Sequence, residues 1–193
     1  MRETARIIAA LDASPAAKNT IVVVWSDHGW HLGEKQHLHK FTLWERSTRV
    51  PFIVMAPGVT RAGTRSVRPV GLVDLFPTLN ELCGLPPSTG LEGISFAPLV
   101  DNPDKPWKKA AFSQYPRGSS EHGELMGYSM RTDRYRLTLW KKRAGGAEVA
   151  AELFDYEKDP DERQNLAGDP AYGNAMKDLR AQFNAGWRGA LPR

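Results

Sequence analysis

The spacing of apolar positions changes character along the 193 residues. Over residues 3–11, Ile7, Ile8 and Leu11 fall at helical intervals, and DAS (12–14) is suited to end a helix. After SPAAKNT (14–20) comes IVVVW (21–25), a continuous apolar run bounded by polar turns, the pattern of a strand buried on both faces. VPFIVM (50–55) repeats it and is closed by APG. Residues 73–82 return to a helical period, with Gly84 placed as the left-handed residue after its end. Further on, residues 127–131 and 135–140 flank the turn TDR as an antiparallel hairpin. A short strand at 152–156 precedes the polar turn EKDPDERQN, and a last helix is predicted over 170–187.

Helix, strand, long loop, strand, helix is the order of an α/β domain. The first part therefore predicts a piece of a mostly parallel sheet with flanking helices. The tail predicts a small antiparallel sheet with a helix packed on it. DNPDKPW (101–107) is turn-rich and marks the expected boundary, giving segments 1–105 and 106–193. Two strands make too small a sheet to stand alone, so the sheet is expected to continue in residues N-terminal to this chain.

Composition adds limits. An apolar fraction of 41% and a charged fraction of 25% fit a globular chain. No apolar run approaches the ~20 residues of a membrane span. The N-terminus lacks the continuous apolar stretch of a signal peptide. Net charge is +4, which favours acidic ligands and also serves solubility. Cys83 is the only cysteine, so no disulfide forms within the chain, and its place at the end of an apolar helix suggests a packed small side chain. Zinc spacings and nucleic-acid motifs are absent, so no nucleic-acid partner is expected. The arginines of the hairpin suit a sulfated polymer. Arg134 and Arg136 read more simply as residues on a wet strand face.

SDHGWHLGEKQHLHK (26–40) carries the candidate chemistry, with four of the five histidines. It follows directly on IVVVW, and open α/β sheets bind ligands beyond the carboxyl ends of their strands. Asp27 and His28 offer a carboxylate and an imidazole to one divalent cation, although two donors are not a complete set. Lys40 offers a fixed charge for an anionic group or a developing oxyanion. The plain alternative is that Ser26 and Asp27 cap a turn and the histidines are surface residues. Tyr115 and Arg117, in SQYPR (113–117), fit recognition of a substrate carboxylate. A turn held by Pro116 explains them equally well.

SDHGWHLGE followed by HK and RVPFIVMAPG resembles the second half of the type I sulfatases, in the alkaline phosphatase superfamily. VDLFPTLNELCGLP (73–86) and ELFDYEKDPDERQNLA (152–167) resemble later segments of that family in the correct order. SQYPR and MGYSMRTDRYRLTLW (126–140) resemble its iduronate-2-sulfatase branch. The resemblance implies a sulfuric ester hydrolase acting on sulfated sugars such as 2-O-sulfated iduronate units. It implies Asp27 and His28 as metal ligands, with His28 and Lys40 in the catalytic set and Lys40 on the sulfate. Trp30 and His31 would stand at the pocket edge. The implied metal is Ca²⁺, with Mg²⁺ or Mn²⁺ open because His is an unusual ligand for so hard a cation. A periplasmic, secreted or lysosomal setting is implied too.

The family's nucleophile is a formylglycine made within Cys/Ser-x-Pro-x-Arg. Cys83 stands in CGLPP, which lacks that pattern, and no acidic pair precedes Asp27. The nucleophile and the remaining ligands are therefore expected on an N-terminal half absent from this chain, and the chain alone is expected to be inactive. Two alternatives stay open. One is a phosphate ester hydrolase of the same superfamily. The other is a non-catalytic remnant or partner subunit.

Overall fold

The structure is a computed structural model and describes residues 2–192. Helix α1 (Arg2–Asp12) leads to strand β1 (Val22–Trp25). A minimal hairpin, β2 (His31–Leu32) and β3 (Leu38–His39), is followed by the single-turn helix α2 (Glu45–Thr48) and strand β4 (Phe52–Met55). Helices α3 (Leu75–Leu82) and α4 (Ala97–Asp101) complete the first part. The second part is a meander of β5 (Ala111–Ser119), β6 (Gly123–Arg131), β7 (Tyr135–Lys142) and β8 (Glu148–Asp155), then α5 (Gly173–Asn184) and α6 (Gly186–Gly189). The mixed α/β architecture follows the sequence expectation.

Two details differ from the pattern. Strands β1 and β4 pair antiparallel, Val22 opposite Met55 and Trp25 opposite Phe52, not parallel. The faces expected to be buried are open: Trp25 is 51% and Ile53 59% exposed, and Val24 and Met55 are exposed as well. Among the described residues nothing covers them. Helix α1 forms as its spacing predicts but buries no residue.

Helix α3 ends as expected. Gly84 has φ +68° and its N–H donates to Glu81 O, while Leu85 N–H donates to Asn80 O. That paired closure satisfies two of the helix's free carbonyls. Cys83 is exposed there and is not a packed side chain. Asp74, fully buried before α3, accepts from Gly71 N–H (2.8 Å), Ile94 N–H (3.1 Å) and the Lys108 ammonium. A buried carboxylate is tolerated when its lone pairs are taken in this way.

The four-stranded sheet is covered on both faces. On one, Met130, Leu137, Leu139 and Leu153 pack with Leu179, Met176 and Phe183 of α5. The other bears Tyr115, Leu125, Arg136, Thr138, Trp140 and Glu152, and the 35–48 segment lies on it through Leu43, Trp44 and Glu45. The period-2 expectation of a wet face for Arg136 does not hold. Arg136 is 2% exposed, because the loop covering it brings its own carboxylate. Arg134 points to the helical side and grips Asp155 through two bonds of 2.8 and 2.7 Å. SQYPR is not a turn. It lies inside β5 opposite residues 125–129, and Pro116 is tolerated because β5 is an edge strand.

Gly127, in β6, is where loop and sheet come closest. A Cβ there would lie 2.7 Å from both Leu43 Cδ1 and Trp140 Cζ3. Gly127→Ala is expected to cost about 1–3 kcal/mol through overpacking. Urea unfolding reads this as a lower midpoint at unchanged slope.

Candidate active site

The Ser26–Gly29 turn leaves the end of β1 and is folded by its own polar atoms. Ser26 Oγ donates to His28 O at 2.7 Å. His28 Nδ1 lies 2.8 Å from Gly29 O. A carbonyl only accepts, so Nδ1 carries the proton and Nε2 presents its lone pair. Lys40 Nζ donates to that Nε2 at 2.7 Å, and Asp27 Oδ2 lies 3.5 Å from the same nitrogen. Carboxylate, imidazole and ammonium thus meet at one point, from positions 27, 28 and 40. The Asp27 side chain is 80% exposed and His28 32%, so the cluster opens outward.

The backbone fixes this meeting. Gly29 N–H donates to Ser47 O at 2.8 Å, and a Cβ on Gly29 would stand 2.0 Å from Arg46 O, so only glycine lets the turn lie on α2. The short β2–β3 hairpin returns the chain to Lys40, and His39, just before it, has φ +88°. A non-glycine residue held there is strained and needs its surroundings to hold it.

The other expected site residues divide. Trp30 is half exposed, 6.2 Å from the His28 ring and edge-on to His39 at 5.7 Å, so it lies beside the cluster. Tyr115 reaches it through a residue the sequence reading passed over. Phe41, next to Lys40, stacks on Tyr115 at 6.0 Å. Arg117 lies further along β5, 5.7 Å over Trp140, on the wall of an open cavity of about 530 Å³ shared with His122 and Glu152. His31 is not at any edge. It is fully buried, its Nε2 is 3.0 Å from Thr42 Oγ1, and its ring packs edge-on against His37 and Trp44. Along β2 the faces alternate, so Leu32 is 79% exposed while His31 turns inward.

A carboxylate and a neutral imidazole suit a divalent cation. Among the described residues, however, no group of three or more His, Cys, Asp or Glu side chains could hold a metal ion. Asp27 and His28 do not make a metal centre alone, and the only free lone pair of His28 is occupied by Lys40.

Residues 33–187 match the family model described as N-sulphoglucosamine sulphohydrolase, C-terminal. The chain belongs to the sulfatases. It is 33% identical to a sulfatase of Formosa agariphila over 96% of this chain and 34% of that protein. It is 30% identical to mouse iduronate 2-sulfatase over 92% of this chain and 44% of that one. Among solved structures, BT4656 in complex with its substrate D-glucosamine-2-N,6-O-disulfate superposes with a TM-score of 0.84 at 26% identity, covering 98% of this chain and 38% of that one. The phosphonate monoester hydrolase of Agrobacterium radiobacter follows at 0.79 and 25%, over 97% and 38%. This sulfatase chain thus spans about a third of the length of the first of these relatives. No described helix is long and apolar enough to cross a membrane.

Burial pushes the His31 imidazole below its usual value, and the neighbouring His37 adds to this. The unfolded chain takes up that proton near pH 6.5, while the folded chain resists it. Between pH 6.5 and the lower folded value the unfolded state holds more protons, so stability falls as pH falls. Urea unfolding at pH 7.0 and 5.5 is expected to show this loss, at most ~1.4 kcal/mol per pH unit for one proton. In His31→Gln the loss is expected to be smaller.

Proposed function

We propose that the chain is the C-terminal part of a sulfatase that hydrolyses sulfate esters of sugars, 2-O-sulfated iduronate units among them. The observation that carries this is the convergence of Asp27, His28 and Lys40 at the end of β1, in a chain of this family. The sulfated sugar bound by BT4656 supports the substrate class. Lys40 holds the sulfate and stabilises charge that builds on its oxygens. Trp30 and the Phe41–Tyr115 pair flank the sugar, and Arg117 takes a carboxylate further along.

Asp27 would give one ligand to a Ca²⁺, Mg²⁺ or Mn²⁺ ion that would polarise the sulfate, and His28 Nε2 would give a second once Lys40 leaves it for the sulfate. The other ligands and the formylglycine come from a preceding segment of the same protein. That segment also covers the open β1–β4 sheet, whose exposed Trp25 and Ile53 are the side chains of a buried interface. A secreted, periplasmic or lysosomal setting goes with the reading. The phosphonate monoester hydrolase match favours a second one, phosphate ester hydrolysis on the same framework.

The test begins with the DNA upstream of the Met1 codon. An in-frame Cys/Ser-x-Pro-x-Arg after an acidic pair is expected. Lys40→Ala in the joined protein is then expected to lower kcat/KM for a sulfated disaccharide by about 10²–10³-fold, as loss of one charge-stabilising donor does. The 193-residue chain alone is expected to release no sulfate. Aryl sulfate turnover by it, abolished in Asp27→Ala, would overturn the inactivity. A threonine or serine nucleophile upstream, with phosphate release, would favour the second reading.

A further inference from the structure

Glu162, in the polar turn after β8, lies far in sequence from the cluster, yet it holds both ends of the segment that carries Lys40. Its backbone carbonyl accepts from the Lys35 ammonium. Its carboxylate Oε2 accepts from Glu45 N–H at 2.9 Å. That N–H is one of the unpaired donors at the start of α2, where a carboxylate is favoured. Lys40 lies midway between the two. Glu162 is 2% exposed and sits at φ +55°, a left-handed backbone outside glycine. A residue kept in that conformation marks a place where the surroundings impose geometry.

The grip is braced. Arg136 Nε lies 3.0 Å from Glu162 Oε1 and 2.7 Å from Tyr156 Oη, and its Nη2 donates to Glu45 Oε2. Arg131 adds a bond to the same Glu45 oxygen at 3.3 Å. Two guanidinium groups face two carboxylates, so the layer is neutral. From Glu45 the chain of contacts is short. Ser47 O receives Gly29 N–H, Ser47 Oγ receives the Thr42 hydroxyl at 2.9 Å, and Thr42 N–H donates to Lys40 O at 2.7 Å. His28 is thus one residue and one hydrogen bond from α2, and Lys40 is two hydrogen bonds from it.

We propose that Glu162, through Glu45 and Arg136, is the positioning residue for the His28–Lys40 pair, so that the four-stranded sheet sets the geometry of a cluster to which it contributes no side chain. As a contribution to catalysis this rests on the sulfatase reading. As positioning it does not, and the test reads position directly.

The test uses the ¹⁵N-labelled full chain at pH 8, above the ordinary imidazole range. Long-range ¹H–¹⁵N spectra report the tautomer of each of the five imidazoles, with His28 assigned through His28→Asn. Wild type is expected to show His28 with the proton on Nδ1. Glu162→Gln removes the charge and keeps the size. It is expected to raise the minor Nε2–H form of His28 about fivefold, the change that loss of one ordinary hydrogen bond brings. His122, on the β5–β6 turn, is expected to keep its signals. Asp155→Asn is the control, because it breaks the buried Arg134 pair on the other face of the same sheet. It is expected to lower stability and leave the His28 spectrum unchanged. An unaltered His28 in Glu162→Gln, or the same His28 change in Asp155→Asn, would overturn the proposal. If Glu162→Gln loses the dispersion of all five rings, Arg131→Lys is read in its place, and the same two outcomes decide.

Discussion

The site region depends on a balanced layer of charge kept away from water. Arg136 and Glu162 are each 2% exposed, and Glu45 is mostly buried against them. Such a layer is a poor source of net stability, because desolvation offsets most of the Coulombic gain. Its effect is geometric. Removing one partner leaves an uncompensated buried charge, typically at a cost of about 3–5 kcal/mol, so every arrangement that separates them is strongly disfavoured. Desolvation opposes ionisation of Glu45, yet Arg136 and Arg131 outweigh it and lower its pKa. The pair therefore stays charged through the neutral range, and the loop stays tied to the sheet.

The two faces of that sheet divide the work. The α5 side is apolar and supplies the non-directional attraction that keeps the meander folded. The loop side is polar and directional. Glu152 lies on it beside the Trp140 and Trp44 indoles, and burial pushes its carboxyl up. A purely apolar face would hold the 35–48 segment equally near but would allow it to slide. Hydrogen bonds to Glu45, Lys35 and Trp44 set its register.

Much of the fold was legible because it follows local rules. IVVVW, VPFIVM, the TDR hairpin and the glycine closing α3 each declare themselves within a few residues. The antiparallel sense of β1 and β4 was not legible, since a continuous apolar run specifies burial but no direction. SQYPR misled because a proline suggests a turn, whereas an edge strand accommodates it. In the site, Asp27, His28 and Lys40 were readable from strand-end position and family resemblance, and they do meet. His31 was misread because a histidine-rich stretch gives no sign of which rings turn inward. Phe41 had one available signal, its place beside Lys40.

Arg136 is the instructive miss. Alternation along β7 put it on a wet face, because an arginine on a strand face is ordinarily solvated. What reversed its environment was a segment 91 residues earlier that arrives with its own acid. No local pattern carries that information, because charge pairing over such a separation is a property of topology. The same reasoning bears on the open β1–β4 sheet. Its apolar side chains obey the local rule for burial, and the described residues do not bury them. When a local rule holds in the residues and fails in the environment, the missing element is the cover and not the strand. For Arg136 that cover is the loop carrying Lys40. For Trp25 and Ile53 the proposed sulfatase reading supplies it from the segment that also carries the nucleophile. Closing the sheet and completing the cluster at its edge then become one event.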